Sequence, residues 1–305
     1  MNSPSGIIII DKPSGITSHN CISKLRYLLK ERKIGHCGTL DPMASGILPI
    51  MIGSAVKASE YLVDHDKRYF AGIKLGITTD TEDISGNVLT QHSGSLPSFA
   101  EFASVAKSFE GEIMQTPPMY SALKVGGIKL LDLAREGVTV ERKARKVSIY
   151  HCSPIERDDG FYLDVACSRG TYIRTLCADI GEKLGCGAVM CSLRRTEVDV
   201  FKESDAIVFD DLNGMSKEEI LSHLIPVEKM FMHLREARLD PFFNRLYFHG
   251  EKIKLSKLRG IKGEVGELFR IYDENGFYSL GEITESDGIK YFRQKKLFFD
   301  RESTK

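Results

Sequence analysis

VSIYHCSPIERDDGFYLDVAC, residues 147–167, is the stretch on which the fold turns. Val147 to Ile155 and Phe161 to Cys167 alternate apolar and polar residues with a period of two, around Asp158-Asp159-Gly160. Period two sends successive side chains to opposite faces of a strand, and an Asp-Gly turn reverses the chain tightly, so an antiparallel hairpin is predicted. Downstream the spacing becomes helical, with Ile173, Leu176, Ile180 and Leu184 on one face of residues 171–184. Upstream, Arg68 to Leu75 reads as a strand, Thr78 to Ser95 as a polar, turn-rich connection, and Ser98 to Phe109 as a helix with Phe99, Phe102, Ala106 and Phe109 turned inward. At the start, GIIIIDKPSG (6–15) is a buried strand stopped by Lys-Pro-Ser-Gly, after which Thr17 or Ser18 caps a helix carrying Ile22, Leu25, Leu28 and Leu29 on one side. Residues 34–49, with three glycines and two prolines, are expected to form an ordered loop. Helices and strands mix without strict βαβ alternation. The expected class is α+β, a mixed and largely antiparallel sheet with flanking helices.

An acidic connection follows, with one short helix near Lys217 to Leu224. VGELFRIYDENGFYSLGEI (265–283) then gives two short strands around the turn Asp273 to Gly276. The expected division is a larger domain over 1–229 and a small β-rich domain over 230–305.

Composition excludes several classes. With 42% hydrophobic and 28% charged residues the chain is globular in type. Its longest aliphatic run, Ile7 to Ile10, is far short of the roughly 20 apolar residues of a membrane span, so a cytoplasmic protein is expected. Seven cysteines with no Cys-x-x-Cys pair read as reduced thiols. The 42 basic and 42 acidic residues cancel, yet they are segregated: nine acidic against two basic residues from Glu197 to Glu228, and five basic with no acidic residue from Lys252 to Lys262. Such segregation can give a neutral protein a face for a polyanion.

For chemistry the informative stretch is GHCGTLDPMASGILP, residues 35–49. Pro42 drives Asp41 toward an extended conformation, so a carboxylate sits on a stiffened loop between glycines. That carboxylate could be a nucleophile, a general base, a metal ligand or a turn cap. Adjacent His36 and Cys37 invite a thiol-enzyme reading, although neighbours on an extended loop seldom face each other. A metal site of His36, Cys37 and Asp41 lacks a second cluster. No Walker A, G-x-G-x-x-G, H-E-x-x-H or G-x-S-x-G sequence is present, so an enzyme built on this chain is expected to work without a cofactor or metal.

The same loop resembles the TruB-type tRNA pseudouridine synthases, whose catalytic loop is close to GHTGTLDPxATGxLP. IIIDKPSGITS, DKRYFAGIKLGITTDTEDISG, PPMYSALKVGGIKLLDLAREG, CSRGTYIRTLCADIGEKLGCGA and LRRTEVDVF match further family motifs in order, over most of residues 6–201. The resemblance implies a pseudouridine synthase fold followed by a small domain of the PUA type, and as substrate the T-arm uridine (position 55) of tRNA, isomerised after base flipping. It implies that Asp41 is the nucleophile, that Tyr69 stacks near the base and helps remove a proton, and that Arg174 pairs with Asp41. His36, Tyr172 and Leu193 would line the pocket of the flipped nucleotide, and Lys12 and Pro13 would shape its floor. Isomerisation needs no redox partner, which agrees with the missing cofactor motifs.

The chain departs from the family pattern at Cys37 and Ser45, where threonine is usual, and at Val56, which interrupts an ATK stretch. A thiol bonds less well than a hydroxyl, so the bonding of the loop is expected to differ. Phosphate contacts are expected from Lys24, Arg26, Lys30, Arg32 and Lys33, from Arg142 to Lys146, and from Lys252 to Lys262. Met119 to Arg135 resembles the family's RNA-gripping insertion and is predicted to be mobile without RNA. The expected partner is tRNA, with no membrane and no obligate protein partner, the protein acting as a monomer. The chain lacks the long Lys-rich tail of the related guide-RNA-dependent enzymes. Two alternatives stand beside the enzyme: a non-catalytic tRNA-binding or refolding protein on the same scaffold, and a hydrolase using Cys37.

Overall fold

The computed structural model describes residues 4–62 and 65–298. In chain order the strands are β1 (Gly6–Lys12), β2 (Ile34–His36), β3 (Ser45–Ile52), β4 (Lys67–Leu75), β5 (Ile77–Thr79), β6 (Val88–Gln91), β7 (Gly111–Gln115), β8 (Lys124–Val125), β9 (Ile128–Lys129), β10 (Arg145–Arg157), β11 (Gly160–Cys167), β12 (Ala188–Val198), β13 (Phe201–Lys202), β14 (Ala206–Val208), β15 (Arg235–Arg238), β16 (Ile253–Lys254), β17 (Leu268–Asp273), β18 (Gly276–Ser286) and β19 (Ile289–Leu297). The helices are α1 (Ser18–Leu29), α2 (Ser59–Leu62), α3 (Phe99–Lys107), α4 (Leu130–Arg135), α5 (Ile173–Lys183), α6 (Lys217–Ser222) and α7 (Pro241–Phe248).

One ten-stranded sheet runs β14-β1-β3-β12-β4-β11-β10-β7, with β2 on β3 and β13 on β12. It is antiparallel except where β1 meets β14 and β3 meets β12. The hairpin read from the sequence is β10–β11, with Arg157 paired to Gly160 across Asp158 and Asp159. A second sheet, β15-β17-β18-β19-β16, forms from Arg235 onward. Mixed strands and helices with a separate β unit make the α+β class expected above.

The isoleucine run of β1 is buried on both faces. Ile8 and Ile10 join a core with Leu25, Leu29, Leu48 and Ile50, under α1 and α6. Ile7 and Ile9 point the other way, into a core with Met51, Phe231, Leu280 and Phe298 that the second sheet completes. Further along the first face, Tyr69, Ala71 and Ile73 of β4 pack with Phe102 of α3 and Leu176 and Ile180 of α5. Leu193 packs against both cores of that face, where they meet.

Two expectations need correction. Residues 34–49 are not one loop: β2 and the start of β3 claim both ends, because Ile34 and Ile47 to Ile50 are buried and pair in the sheet, leaving 37–44 as the loop. Lys24 and Arg26 are less free for RNA than a basic helix face suggests. Lys24 Nζ donates to the Phe209 carbonyl at 2.9 Å and sits over that ring, while Arg26 donates to the Ile34 carbonyl at 3.0 Å.

Candidate active site

The site is a transverse row of the sheet. Lys12 on β1 pairs with Gly46 on β3, Gly46 with Arg195 on β12, and Arg195 with Tyr69 on β4. Residues directly opposite across a ladder project to one face. Three large polar side chains thus stand together on the face that carries α1 and α5. Gly46 makes room for them: a Cβ there would lie 2.2 Å from the Arg195 carbonyl oxygen, and its φ of +101° favours glycine.

The loop bearing Asp41 lies over this row and is pinned residue by residue to the end of β1 and the start of α1. Ser18 Oγ accepts from the Leu40 N–H at 2.9 Å and donates to the Leu40 carbonyl at 3.0 Å. Gly15 N–H and Lys12 Nζ donate to the Pro42 carbonyl at 2.8 and 3.4 Å, and Ser14 Oγ donates to the Met43 carbonyl at 2.8 Å. Lys12 also donates to the carbonyls of Pro13 and Ile16, each at 2.8 Å, which fixes Pro13 at the rim. Lys12 is buried, and burial lowers its pKa, opposed by nearby Asp41.

Arg174 comes from the first turn of α5 and points at Asp41. Its Nε lies 3.1 Å from Asp41 Oδ2 and 4.0 Å from Asp83 Oδ2, while its two terminal nitrogens donate to the carbonyls of Thr81 (3.0 Å) and Tyr120 (2.9 Å). The guanidinium is 6% exposed and the Asp41 side chain 42%. The cation is therefore locked inside while the carboxylate is open to solvent. A guanidinium anchored by two backbone carbonyls and paired with Asp41 is what positions a single carboxylate well.

Tyr69 is buried, and burial pushes its phenol up to about 12, with the nearby Arg195 guanidinium opposing the rise. His36, at the end of β2, has a buried Nδ1 with no hydrogen-bond partner, and burial together with Arg195 and His19 lowers its pKa. It is held neutral, suited to packing on a base rather than to pairing with phosphate. Leu193 accepts a long bond from Ser45 Oγ at 3.5 Å through its carbonyl. Tyr172 is held from another side: it precedes α5 without a side-chain cap, so Gln115 clasps its peptide, accepting from its N–H (2.8 Å) and donating to its carbonyl (3.0 Å), and Arg145 lies over its ring.

Asp41 thus stands with Arg174 and Lys12, and Tyr69 and His36 lie near Arg195; Pro13 is tied to Lys12, Leu193 packs where two cores meet, and Tyr172 opens α5 two residues before Arg174. The structure adds Arg195, Ser18, Gln115 and Asp83, none of which the sequence reading singled out. Arg195 had a signal: once 188–198 is read as a strand, Arg195 shares the inward parity of Leu193, and a charge at a core position is unusual. Asp83 sits in Thr-x-Asp-x-Ser, and its Oδ1 accepts from Thr81 and Ser85. Gln115 had no signal.

The thiol reading fails on geometry. Cys37 is buried, donates its S–H to the Ser59 carbonyl at 3.0 Å, and burial pushes its thiol up to about 11. It supplies a structural bond of the loop.

Comparison with known proteins agrees with this arrangement. Residues 26–173 match the N-terminal domain model of the TruB family pseudouridylate synthases, and residues 174–232 match the tRNA pseudouridylate synthase B C-terminal domain model. The chain is 40% identical over 300 residues to a tRNA pseudouridine synthase B of Clostridium perfringens, covering 97% of this chain and 99% of that protein. It is 42% identical over 301 residues to the corresponding protein of Alkaliphilus oremlandii, covering 98% and 100%. Among solved structures, the crystal structure of a Cbf5–Nop10–Gar1 complex contains a chain that superposes with a TM-score of 0.72 at 29% identity, over 97% of this chain and 86% of that one. With residues 26–232 matched by the two family models and nearly full-length relatives at 40% and 42% identity, the chain belongs to the TruB family of pseudouridylate synthases.

Proposed function

We propose that this tRNA pseudouridine synthase isomerises the T-arm uridine at position 55, with Asp41 as the nucleophile. The observation that supports the reading best is the Asp41–Arg174 pair: an exposed carboxylate held at 3.1 Å by a buried guanidinium, on a loop pinned at Leu40, Pro42 and Met43. The carboxylate attacks the flipped nucleotide, the ribose–nitrogen bond breaks, and the ring turns and rejoins ribose through carbon. The proton on that carbon is lost while the freed nitrogen gains one, and the carboxylate leaves, so nothing is oxidised and no cofactor is required. Flipping a base from a folded arm costs a few kcal/mol. A neutral His36 and the apolar surface of Leu193 and Tyr172 replace the stacking that is lost. Tyr69 is the group that moves the ring proton. Lys12 and Pro13 hold the floor, and the protein acts as a cytoplasmic monomer. No helix among the described residues is long and apolar enough to cross a membrane.

The RNA is held by phosphate contacts from Lys30, Arg32 and the 252–262 run, and by the segment from Met119 to Arg135, where Lys124, Val125, Ile128 and Lys129 are exposed on the β8–β9 hairpin. The small sheet, in the role of a PUA-type domain, carries the 252–262 contacts. Binding through such contacts falls steeply with salt.

The test is to incubate the purified protein, without metal or nucleotide, with an unmodified tRNA transcript and to map pseudouridine, with Asp41→Asn in parallel. Product at the T-arm site from wild type, and loss of roughly 10⁴-fold or more in rate with tRNA still bound by Asp41→Asn, is expected. Equal turnover by both proteins would remove Asp41 from the chemistry, and product at another site would overturn the T-arm assignment.

A further inference from the structure

Gln115, 1% exposed, is the buried end of β7, and none of the catalytic steps above uses it. It closes an edge strand on the same face as Ile113, which packs against the core of α3 and α5. An aliphatic residue would fill that position at no polar cost, whereas a buried amide must bond both its ends. Gln115 bonds both to one residue. Its Oε1 accepts from the Tyr172 N–H at 2.8 Å, and its Nε2 donates to the Tyr172 carbonyl at 3.0 Å. Chemistry assigns the two ends, since an N–H only donates and a carbonyl only accepts. The same carbonyl accepts from the Leu176 N–H at 3.0 Å, an early bond of α5. The Tyr172 peptide is thus the point from which α5 leaves, and its own side chain does not cap it.

Arg174 lies two residues into that turn. Its terminal nitrogens are fixed by the Thr81 and Tyr120 carbonyls, and its Nε meets Asp41. The other end of the side chain is only as well placed as the first turn of α5. Gln115 and Tyr120 belong to one short stretch, held between them by Arg142, whose Nη1 donates to the Pro117 carbonyl at 3.0 Å. Residues 115–120 therefore bracket the start of α5 twice, with a side chain on Tyr172 and with a carbonyl on Arg174. Arg145, opposite Gln115 across the ladder, adds a third hold over the Tyr172 ring and on the Gly170 carbonyl. We propose that Gln115 is a positioning residue for the reaction: by fixing the Tyr172 peptide it sets where α5 begins, and so keeps the Arg174 guanidinium where it orients the Asp41 carboxylate. The inference rests on the reading of the Asp41–Arg174 pair as the catalytic one. A displacement of about 1 Å at a reacting group costs about 10²-fold in rate, so loss of the clasp is felt in the chemical step.

The experiment is a double-mutant cycle on the full chain, reading single-turnover pseudouridine formation and tRNA affinity separately. Gln115→Met fills a similar space without either hydrogen bond. In the wild-type background it is expected to slow the chemical step about 30-fold or more, with tRNA affinity within about threefold. In the Arg174→Lys background, where the fork is already lost, the same change is expected to slow it less than about threefold further. Equal slowing in both backgrounds would make Gln115 a support of Tyr172 or of the core alone and overturn the proposal, as would an unchanged rate in the wild-type background. Full turnover by Arg174→Lys would instead overturn the reading of the ion pair, so the two failures are distinguishable. If Gln115→Met does not fold, Gln115→Glu decides. A protonated carboxyl at that position donates and accepts as the amide does, whereas a carboxylate only accepts and faces the Tyr172 carbonyl. Its turnover relative to wild type at the same pH is expected to fall about tenfold or more from pH 6 to pH 9, and a constant ratio overturns the proposal.

Discussion

Two buried arginine–tyrosine pairs, one in each sheet, show how the same side chains serve different ends. In the small sheet Arg270 bonds the Tyr272 hydroxyl at 2.6 Å and Glu228 at 2.9 Å, and also donates to the Leu234 carbonyl. Tyr272 in turn donates to Glu228. Charge and hydrogen bonds close on themselves, and the cluster ties the connecting segment to β17. In the large sheet Arg195, paired with Tyr69 across the ladder, donates to two carbonyls, and among the described residues no carboxylate bonds it. A closed cluster holds pieces together. An open one leaves the cation without a countercharge, at a cost in stability.

The comparison breaks first at Arg174. Arg174→Lys cannot serve Asp41 and the Thr81 and Tyr120 carbonyls at once, so turnover is expected to fall about 10²–10³-fold with tRNA binding nearly unchanged; single-turnover assays at saturating enzyme would show it, and a loss below tenfold would mean that charge alone suffices. Glycines sharpen the contrast next. A Cβ added at Gly46 (φ +101°) would meet the Arg195 backbone at 2.2 Å, whereas one added at Gly276 (φ +115°), in the β17–β18 turn, would meet nothing within 4 Å. Urea melts should give a loss of about 3 kcal/mol or outright unfolding for Gly46→Ala, and only about 1–2 kcal/mol for Gly276→Ala. Third, Arg270→Met should cost about 2 kcal/mol in the same melts, Glu228 being partly wet, yet leave turnover per folded molecule within twofold. A collapse in turnover would show that the closed cluster also serves the site.

The smallest expected effect concerns an unpaired charge away from the site. Burial, with Glu82 and Glu182 nearby, pushes the Asp179 carboxyl up to about 6. A carboxyl raised in the folded state favours the protein when protonated, so its contribution is present below about pH 4 and is lost as pH rises through 6. Asp179→Asn is therefore expected to raise stability by about 1 kcal/mol at pH 7.5 and hardly at all at pH 4, and an equal gain at both pH values would assign the effect to helix propensity instead.

Much of this architecture was legible in the residues. The β10–β11 hairpin, the four-isoleucine strand, the capped helices at Thr17 and Ser98 and the Asp273–Gly276 turn all follow from local periodicity and turn chemistry, which tertiary packing reinforces. Strand β12 was not read as a strand, because Cys-Ser-Leu-Arg-Arg-Thr has no clean alternation: it carries register shifts near Met190 and Arg195, and one of its inward positions is a charge. Missing that strand hid Arg195. Asp41 stood out through its proline and glycines, while Ser18 and Gln115 act on backbone groups that only folding brings within reach. The pocket residues other than Asp41 gained their roles from motif order, since a lone tyrosine or leucine in a strand is ordinarily core.

The back of the catalytic sheet has a further consequence, one of timing. Ile7 and Ile9 are buried against Leu280 and Phe298, and Ser54 donates to the carbonyl of Phe298, a residue made 244 positions later. Chains emerge from the ribosome N-terminus first, at roughly 5–20 residues each second. The first strand to be synthesised therefore waits with one apolar face uncovered until the last strand arrives. A nascent chain can assemble the Asp41 side early, but the sheet is sealed only when the end of the small domain has been made. Contacts this far apart in sequence are slow to form, so the back of the sheet is the late-forming part of the fold.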